Sequence, residues 1–403
     1  MIITQLSYSQ NNTNSPYTRF GYGDITDSNS GEQRAMGGLS IGTRSKYGIN
    51  TVNPASYSVV DSMTFMFDVG VSALVSRFSD SNTTNNKMNS NLEYITMQFP
   101  LWKKVGFSAG LLPYSFSGYD FSTSSYLPLD IYPDTVTTTQ RFYGNGGVNQ
   151  VYSGLSINLF DHLSLGVNAY YMFGSSINSR ELTFGSTDFY PSYQVDSITV
   201  SSFRFRYGLQ YFNTFNQKHF VSLGAIYEMK MKFNAEFSEM TGSVDAESTP
   251  YQSVNKDFEM PEMFGAGIQY TYNNQLTLGF DYTLQKWADA KYLGVTDTLS
   301  NRSKFVIGAE YLPNPKSRKF LDQVRYRAGI NMSDPYYKLG GLTQPKNFGI
   351  TFGIGLPLKN SSTIINTTFE YGKIGKSGLL REDYFKFTFN ATFNENWFFK
   401  RKL

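Results

Sequence analysis

The chain has no cysteine and only two histidines among its 403 residues, and no apolar run reaches the length of a membrane-crossing helix, about 18 residues. Without cysteine there is no disulfide and no thiolate-ligated metal. His162 and His219 sit far apart in short polar turns, where a solvated or satisfied imidazole is the ordinary state. Charge is sparse as well. Charged residues make up 17% of the chain and the net charge is +3, too mild for a nucleic-acid-binding surface. No nucleophile elbow, phosphate-binding loop, HExxH or EF-hand loop is present, and the Gly-rich "YGNGGVNQ" joins no buried strand to a helix. The chemistry of an enzyme is therefore missing, and neither a cofactor nor a metal is expected.

What the chain does have is aromatic residues, glycine and a period of two. It carries 30 Tyr, 34 Phe and 35 Gly at a mean hydropathy of -0.34. In "FMFDVGVSA", Phe65, Phe67, Val69, Val71 and Ala73 share one face, opposite Asp68, Gly70 and Ser72. "LSLGVNAYYMF", "LTLGFDYTL", "FGITFGIGLPL" and "FKFTFNATF" repeat the pattern. Alternation of this kind belongs to strands between two unlike environments. A soluble sandwich also alternates, but it reserves edge strands blunted by charge or proline. Here nearly every apolar face is bulky and aromatic, while the opposite face is Gly, Ser, Thr and Asn with isolated charges. A closed barrel has no edges, and closure is what satisfies a strand backbone in lipid.

The periodic segments number about fourteen, an even count as bacterial barrels require, with starts near residues 62, 90, 104, 147, 162, 201, 219, 260, 275, 303, 323, 346, 363 and 383. Short polar connections such as "WKK", "FDH" and "YNN" alternate with longer ones at 79–89, 121–146, 174–200 and 234–258. The expected fold is all-β: a transmembrane antiparallel barrel in the outer membrane, with the lipid bilayer as its solvent. Short turns belong on the periplasmic side and long loops outside. Trp102 and Trp397 should belong to the aromatic girdle at the short-turn end, and Trp287 to the girdle at the long-loop end. Lumen-facing carboxylates (Asp68, Glu228, Asp281, Glu310, Glu370) should pair with Lys or Arg on neighbouring strands.

Three segments remain. Residues 1–9 read as a signal-peptide remnant, since "LSYSQ" resembles the tail of one. Residues 10–61 lack a clean period and are too weakly hydrophobic to fold alone, which suits a hatch packed inside the barrel formed by 62–403. In "VGFSAGLLPYSFSGY" the apolar parity slips after Leu112-Pro113. Because proline cannot donate to the ladder, this marks either a kinked strand or an early strand end.

"RAMGGLSIG" followed by "NPASYS" resembles the N-terminal hatch of the FadL-like outer-membrane transporters. "LPYSF" is similar to that family's proline-containing third strand, and "MPEMFGAGIQYTYNNQLTLGFDYTLQKWAD" to its P-E-x-x-x-x-G and D-Y-x-x-x-x-W strands. The opening "SPYTRFGYG" and the ending "NENWFFKRKL" resemble the subset of the superfamily common in Bacteroidota. The resemblance implies fourteen strands, a hatch in which Asn53, Pro54, Ala55 and Arg34 either anchor the segment or contact a ligand, and a lateral opening at Leu112 and Pro113. It implies passive transport of small hydrophobic compounds. The alternative is an accessory subunit of a larger outer-membrane complex, in protein secretion or barrel assembly, whose partners are other subunits of that complex.

Overall fold

The structure is a computed structural model and describes residues 12–80, 83–127, 136–243, 251–339, 342–343, 346–359, 362–375 and 380–396. The expected signal-peptide remnant, Trp397 and the C-terminal basic run lie outside these residues.

Fourteen strands form the wall: β1 (Thr64–Ser79), β2 (Thr84–Trp102), β3 (Val105–Leu127), β4 (Val136–Leu159), β5 (Leu163–Phe184), β6 (Ser192–Phe215), β7 (His219–Glu228), β8 (Met263–Tyr272), β9 (Leu276–Gln285), β10 (Arg302–Tyr311), β11 (Arg325–Ser333), β12 (Asn347–Pro357), β13 (Ile364–Gly375) and β14 (Arg381–Asn396). Each pairs antiparallel with the next. β14 pairs with β1 along its whole length, which closes the barrel. Three short turns between these strands each place two successive residues at positive φ, Phe160-Asp161, Asn216-Gln217 and Asn273-Asn274, the geometry that matches strand twist.

Strand height is uneven. β3 to β6 run 22 to 24 residues, whereas β7 to β11 run 9 or 10. The expected loops at 121–146 and 174–200 are therefore mostly strand, and the loop at 79–89 shrinks to the few residues between Ser79 and Thr84. These strands outrun their alternating apolar stretches because, beyond the lipid band, both faces meet water and the sequence period fades. The hairpin strands Ala235–Ser243 and Gln252–Val254 continue the tall sheet beside β6.

The segment before β1 carries little regular structure: a 3-10 turn Pro16–Arg19, a two-residue strand Asp24–Ile25, one helical turn Gly31–Arg34 and the 3-10 helix Pro54–Val59. It is nonetheless mostly buried. Met36, Leu39, Ile41, Ile49, Ala55 and Tyr57 are all at most 2% exposed, which a free leader would not be. Met36 and Leu39 pack with Val306, Ile41 with Ile226 and Met263, and Tyr57 with Tyr94, Tyr152 and Tyr170, all on the strands.

Candidate functional site

The Asn-Pro of "VNPASYS" starts the helix Pro54–Val59, with Asn53 as its N-cap: Asn53 Oδ1 accepts from Ala55 N at 3.1 Å. The Asn53 amide donates to Ile41 O at 2.8 Å and Leu209 O at 3.3 Å, tying the helix to an earlier turn and to β6. The helix lies on a floor of glycines from four adjacent strands. A Cβ on Gly106, Gly154, Gly166 or Gly208 would come within 2.1 to 2.7 Å of Tyr57, Pro54 or Asn53. These glycines look like alternation in sequence, but in space they make room for a second backbone. Tyr57 OH then donates to Asn168 Oδ1 at 3.0 Å.

Arg34, on the Gly31–Arg34 turn, reaches the wall. It meets Glu93 of β2 at 2.7 Å, and Lys386 of β14 meets the same carboxylate at 2.6 Å. The expected ion pairs form at Glu228 with Arg204 (2.7 Å) and Arg206 (2.5 Å), and at Glu310 with Arg325 (2.7 Å) and Arg327 (2.6 Å).

The other three carboxylates correct the expectation, since their partners are not Lys or Arg among the described residues. Asp281 has no ion pair among the described residues. It accepts the backbone N–H groups of Ser40 and Ile41 at 2.6 and 2.7 Å, so it serves the incoming segment rather than a neighbouring strand. Asp68 is hydrogen-bonded by Asn390 at 2.6 Å and Tyr94 at 3.4 Å. Glu370 accepts from Tyr384 OH at 2.9 Å. Trp287 is also not a girdle residue: it is fully buried.

Leu112 and Pro113 lie inside one continuous β3, so the strand kinks and does not end. The register with β4 skips Tyr114, between Pro113↔Asn149 and Ser115↔Val148. The bend crosses three strands, because Gly146 and Gly147 of β4 and Gly174 of β5 all take positive φ. At Gly147 (φ +145) a Cβ would lie 2.4 Å from Ser115 O, so only glycine lets the hairpin fold inward here. This is the role of "YGNGGVNQ", which the sequence pattern did not disclose.

The ladder between β2 and β3 breaks off beside this kink. β2 and β3 pair from Trp102↔Val105 only as far as Ile95↔Leu111. Beyond that point, among the described residues, β2 pairs with β1 alone, while the edge of β3 turns to the N-terminal segment. Asp24 and Ile25 pair with Phe116 and Ser115, Thr26 N donates to Tyr114 O at 2.9 Å, and Thr18 Oγ1 donates to Gly118 O and accepts from Gly118 N. A cavity of about 150 Å³ lies at the foot of this seam, lined by Asn91, Leu92, Tyr94, Leu111 and Pro113. It shares Asn12, Asn91 and Phe116 with a lumen cavity of about 180 Å³ whose lining includes Asp27, Arg34, Arg302, Lys304 and Lys386. Asp27 pairs with Lys304 and lies 3.8 Å from Arg302. Burial pushes the Asp27 carboxyl up, but these two cations outweigh it and hold the group below the usual carboxylate range.

Toward the long-loop end the lumen is filled by aromatic side chains. Tyr22 packs on Phe233 (5.3 Å), Trp287 (5.7 Å) and Tyr292 (5.2 Å), and Trp287 packs on Tyr336 (5.1 Å). Tyr114, Val148, Met172 and Val200 close the same cluster from β3 to β6.

A family model described as BamG matches residues 1–403. The chain belongs to the BamG family. No curated protein matches it. Among solved structures it is similar to a FadL homologue from Pseudomonas aeruginosa (TM-score 0.64, 12% identity, 93% of this chain and 100% of that one). It is also similar to the monoaromatic hydrocarbon channel CymD (0.60, 13%, 94% and 99%) and to the Ralstonia pickettii toluene transporter TbuX (0.59, 14%, 92% and 98%). At such identities the likeness is one of fold, and this member of the BamG family has the FadL-like fourteen-stranded barrel fold.

Proposed function

We propose that this barrel works as a structural subunit of a larger outer-membrane assembly, of the protein-secretion or barrel-assembly kind, and not as a carrier of small hydrophobic compounds. The observation that carries the reading is the aromatic pack. A hydrophobic guest needs apolar space, and in the upper lumen Tyr22, Trp287 and Tyr336, each at most 4% exposed, take that space themselves. The lumen cavity of about 180 Å³ has Asp27, Arg34, Arg302, Lys304 and Lys386 in its lining, charges that a desolvated apolar molecule does not favour. The N-terminal segment, held by Asn53, Arg34 and Asp281, serves in this reading as a permanent filling that stiffens the barrel.

Passive transport with lateral release is the second reading, and the seam between β2 and β3 favours it. Unpaired strand edges at membrane depth cost several kcal/mol unless something shields them, so an opening of this kind calls for a use.

Purification from native outer membranes in mild detergent separates the two. The subunit reading expects a stoichiometric complex that survives sizing. A monomer that carries a bound hydrophobic molecule would overturn it in favour of transport.

A further inference from the structure

Beyond Ile95↔Leu111 the facing edges of β2 and β3 are not paired with each other, and the upper β3 edge has no other strand beside it among the described residues. Below Gly118 the free edge of β3 is taken by the N-terminal segment; from Tyr119 to Tyr126, among the described residues, no strand pairs with it on the side away from β4. This stretch rises past the apolar band of the neighbouring strands, and Tyr126 is 72% exposed. Natural edge strands are blunted by lysine, proline or a bulge. "YDFSTSSY" has none of these. Its single charge, Asp120, is neutralised within the hairpin by two bonds from Arg141 at 2.9 and 3.0 Å.

We propose that the β3 edge from Tyr119 to Tyr126 is a docking site for an extended segment of a partner polypeptide, which adds to the tall sheet as a further strand. A ladder of alternating backbone donors and acceptors is complementary to another strand and to little else. The same edge already accepts such a guest lower down, where Asp24 and Ile25 pair with Phe116 and Ser115, so the docking site continues an interface in use within the chain. Side chains define the fit. Phe121 packs on Phe142 at 5.2 Å on the face that also meets Arg19 of the N-terminal segment, whereas Ser122 and Ser124 lie on the other face. The guest strand should therefore alternate, with apolar residues toward Phe121 and small polar ones outward. This builds on the subunit reading by naming the surface that a partner uses.

The test uses the full chain in detergent micelles and the peptide TTTQRFY, which reproduces Thr137–Tyr143, the segment that pairs with the opposite edge of β3. At millimolar peptide, alternate backbone amides between Tyr119 and Tyr126 should exchange with solvent at least tenfold more slowly. The same peptide N-methylated at every second residue should have no effect, because it cannot complete a ladder. Equal protection by both peptides would mean side-chain adhesion and would overturn the proposal, as would protection by neither. Should neither protect while a stoichiometric complex still purifies from native membranes, the edge is wrong and the subunit reading stands. Should the peptide dock on a chain that purifies alone, the edge stands and the subunit reading falls.

Discussion

Asp281, on β9, accepts the backbone N–H groups of Ser40 and Ile41 at 2.6 and 2.7 Å, so a wall carboxylate holds the turn of a segment more than two hundred residues away in sequence. Asp281 is 2% exposed, and water does not readily replace it. Asp281→Ala should strand these donors at a cost of roughly 1–3 kcal/mol, mostly as loosening of the N-terminal segment. Amides 40 to 42 should exchange faster while the barrel keeps its heat-modifiable migration on gels. Unchanged exchange would show that the carboxylate is dispensable.

The aromatic pack gives a direct check on the argument from filled space. Trp287→Ala should lower stability by about 3–5 kcal/mol and leave an apolar cavity. The variant should then bind a small aromatic such as toluene, seen as a ligand-dependent rise in melting temperature, and the native chain should not. Equal binding by both proteins would show that apolar room already exists.

Proline was the sequence's marker for the kink, but glycine and the N-terminal segment hold it. Pro113→Val should restore a donor and still leave the seam open, with the amides of Leu92 and Tyr94 exchanging as before. Gly147→Val should cost more, about 1–3 kcal/mol of backbone strain besides the clash with Ser115 O. Slowed exchange along β2 in Pro113→Val would return the main role to proline.

Asp27 sets a pH dependence. Its ionised form is the one the folded chain favours, because Lys304 and Arg302 hold the carboxyl below its ordinary value of 3.8. Its contribution is therefore present above that value and is lost as pH falls through the depressed one. Asp27→Asn should make the N-terminal segment easier to cut by protease at pH 7. In unfolding measurements the difference between variant and native protein should shrink below about pH 4. A difference independent of pH would mean the ion pairs contribute nothing.

Much of this molecule was written in a period of two. Strand number and closure follow from alternation and from the polarity of the inward face. Boundaries failed where physics stops imposing a period: β2 starts at Thr84 and not near 90, β4 at Val136 and not near 147, and β6 at Ser192 and not near 201, because those ends stand beyond lipid. Trp287 was misplaced because an interfacial tryptophan and a buried one look alike without the loops that cover them. Asp281 was misread because its partners are backbone amides, which no sequence labels. Gly147 resembled any other barrel glycine until its φ of +145 was known.

The unequal strand heights give the barrel an azimuth. At about 3.3 Å per residue and a tilt near 40°, strands the length of β3 to β6 rise roughly 60 Å, and strands the length of β7 to β11 only about 25 Å. A parapet some 35 Å high therefore stands on one side of the mouth, while the far wall ends near the lipid surface. A neighbour drifting in the plane of the membrane meets either a cliff or a low sill, depending on its direction of approach. The molecule thus has a front and a back, and any contact it makes above the membrane is decided by which of them is turned toward the visitor.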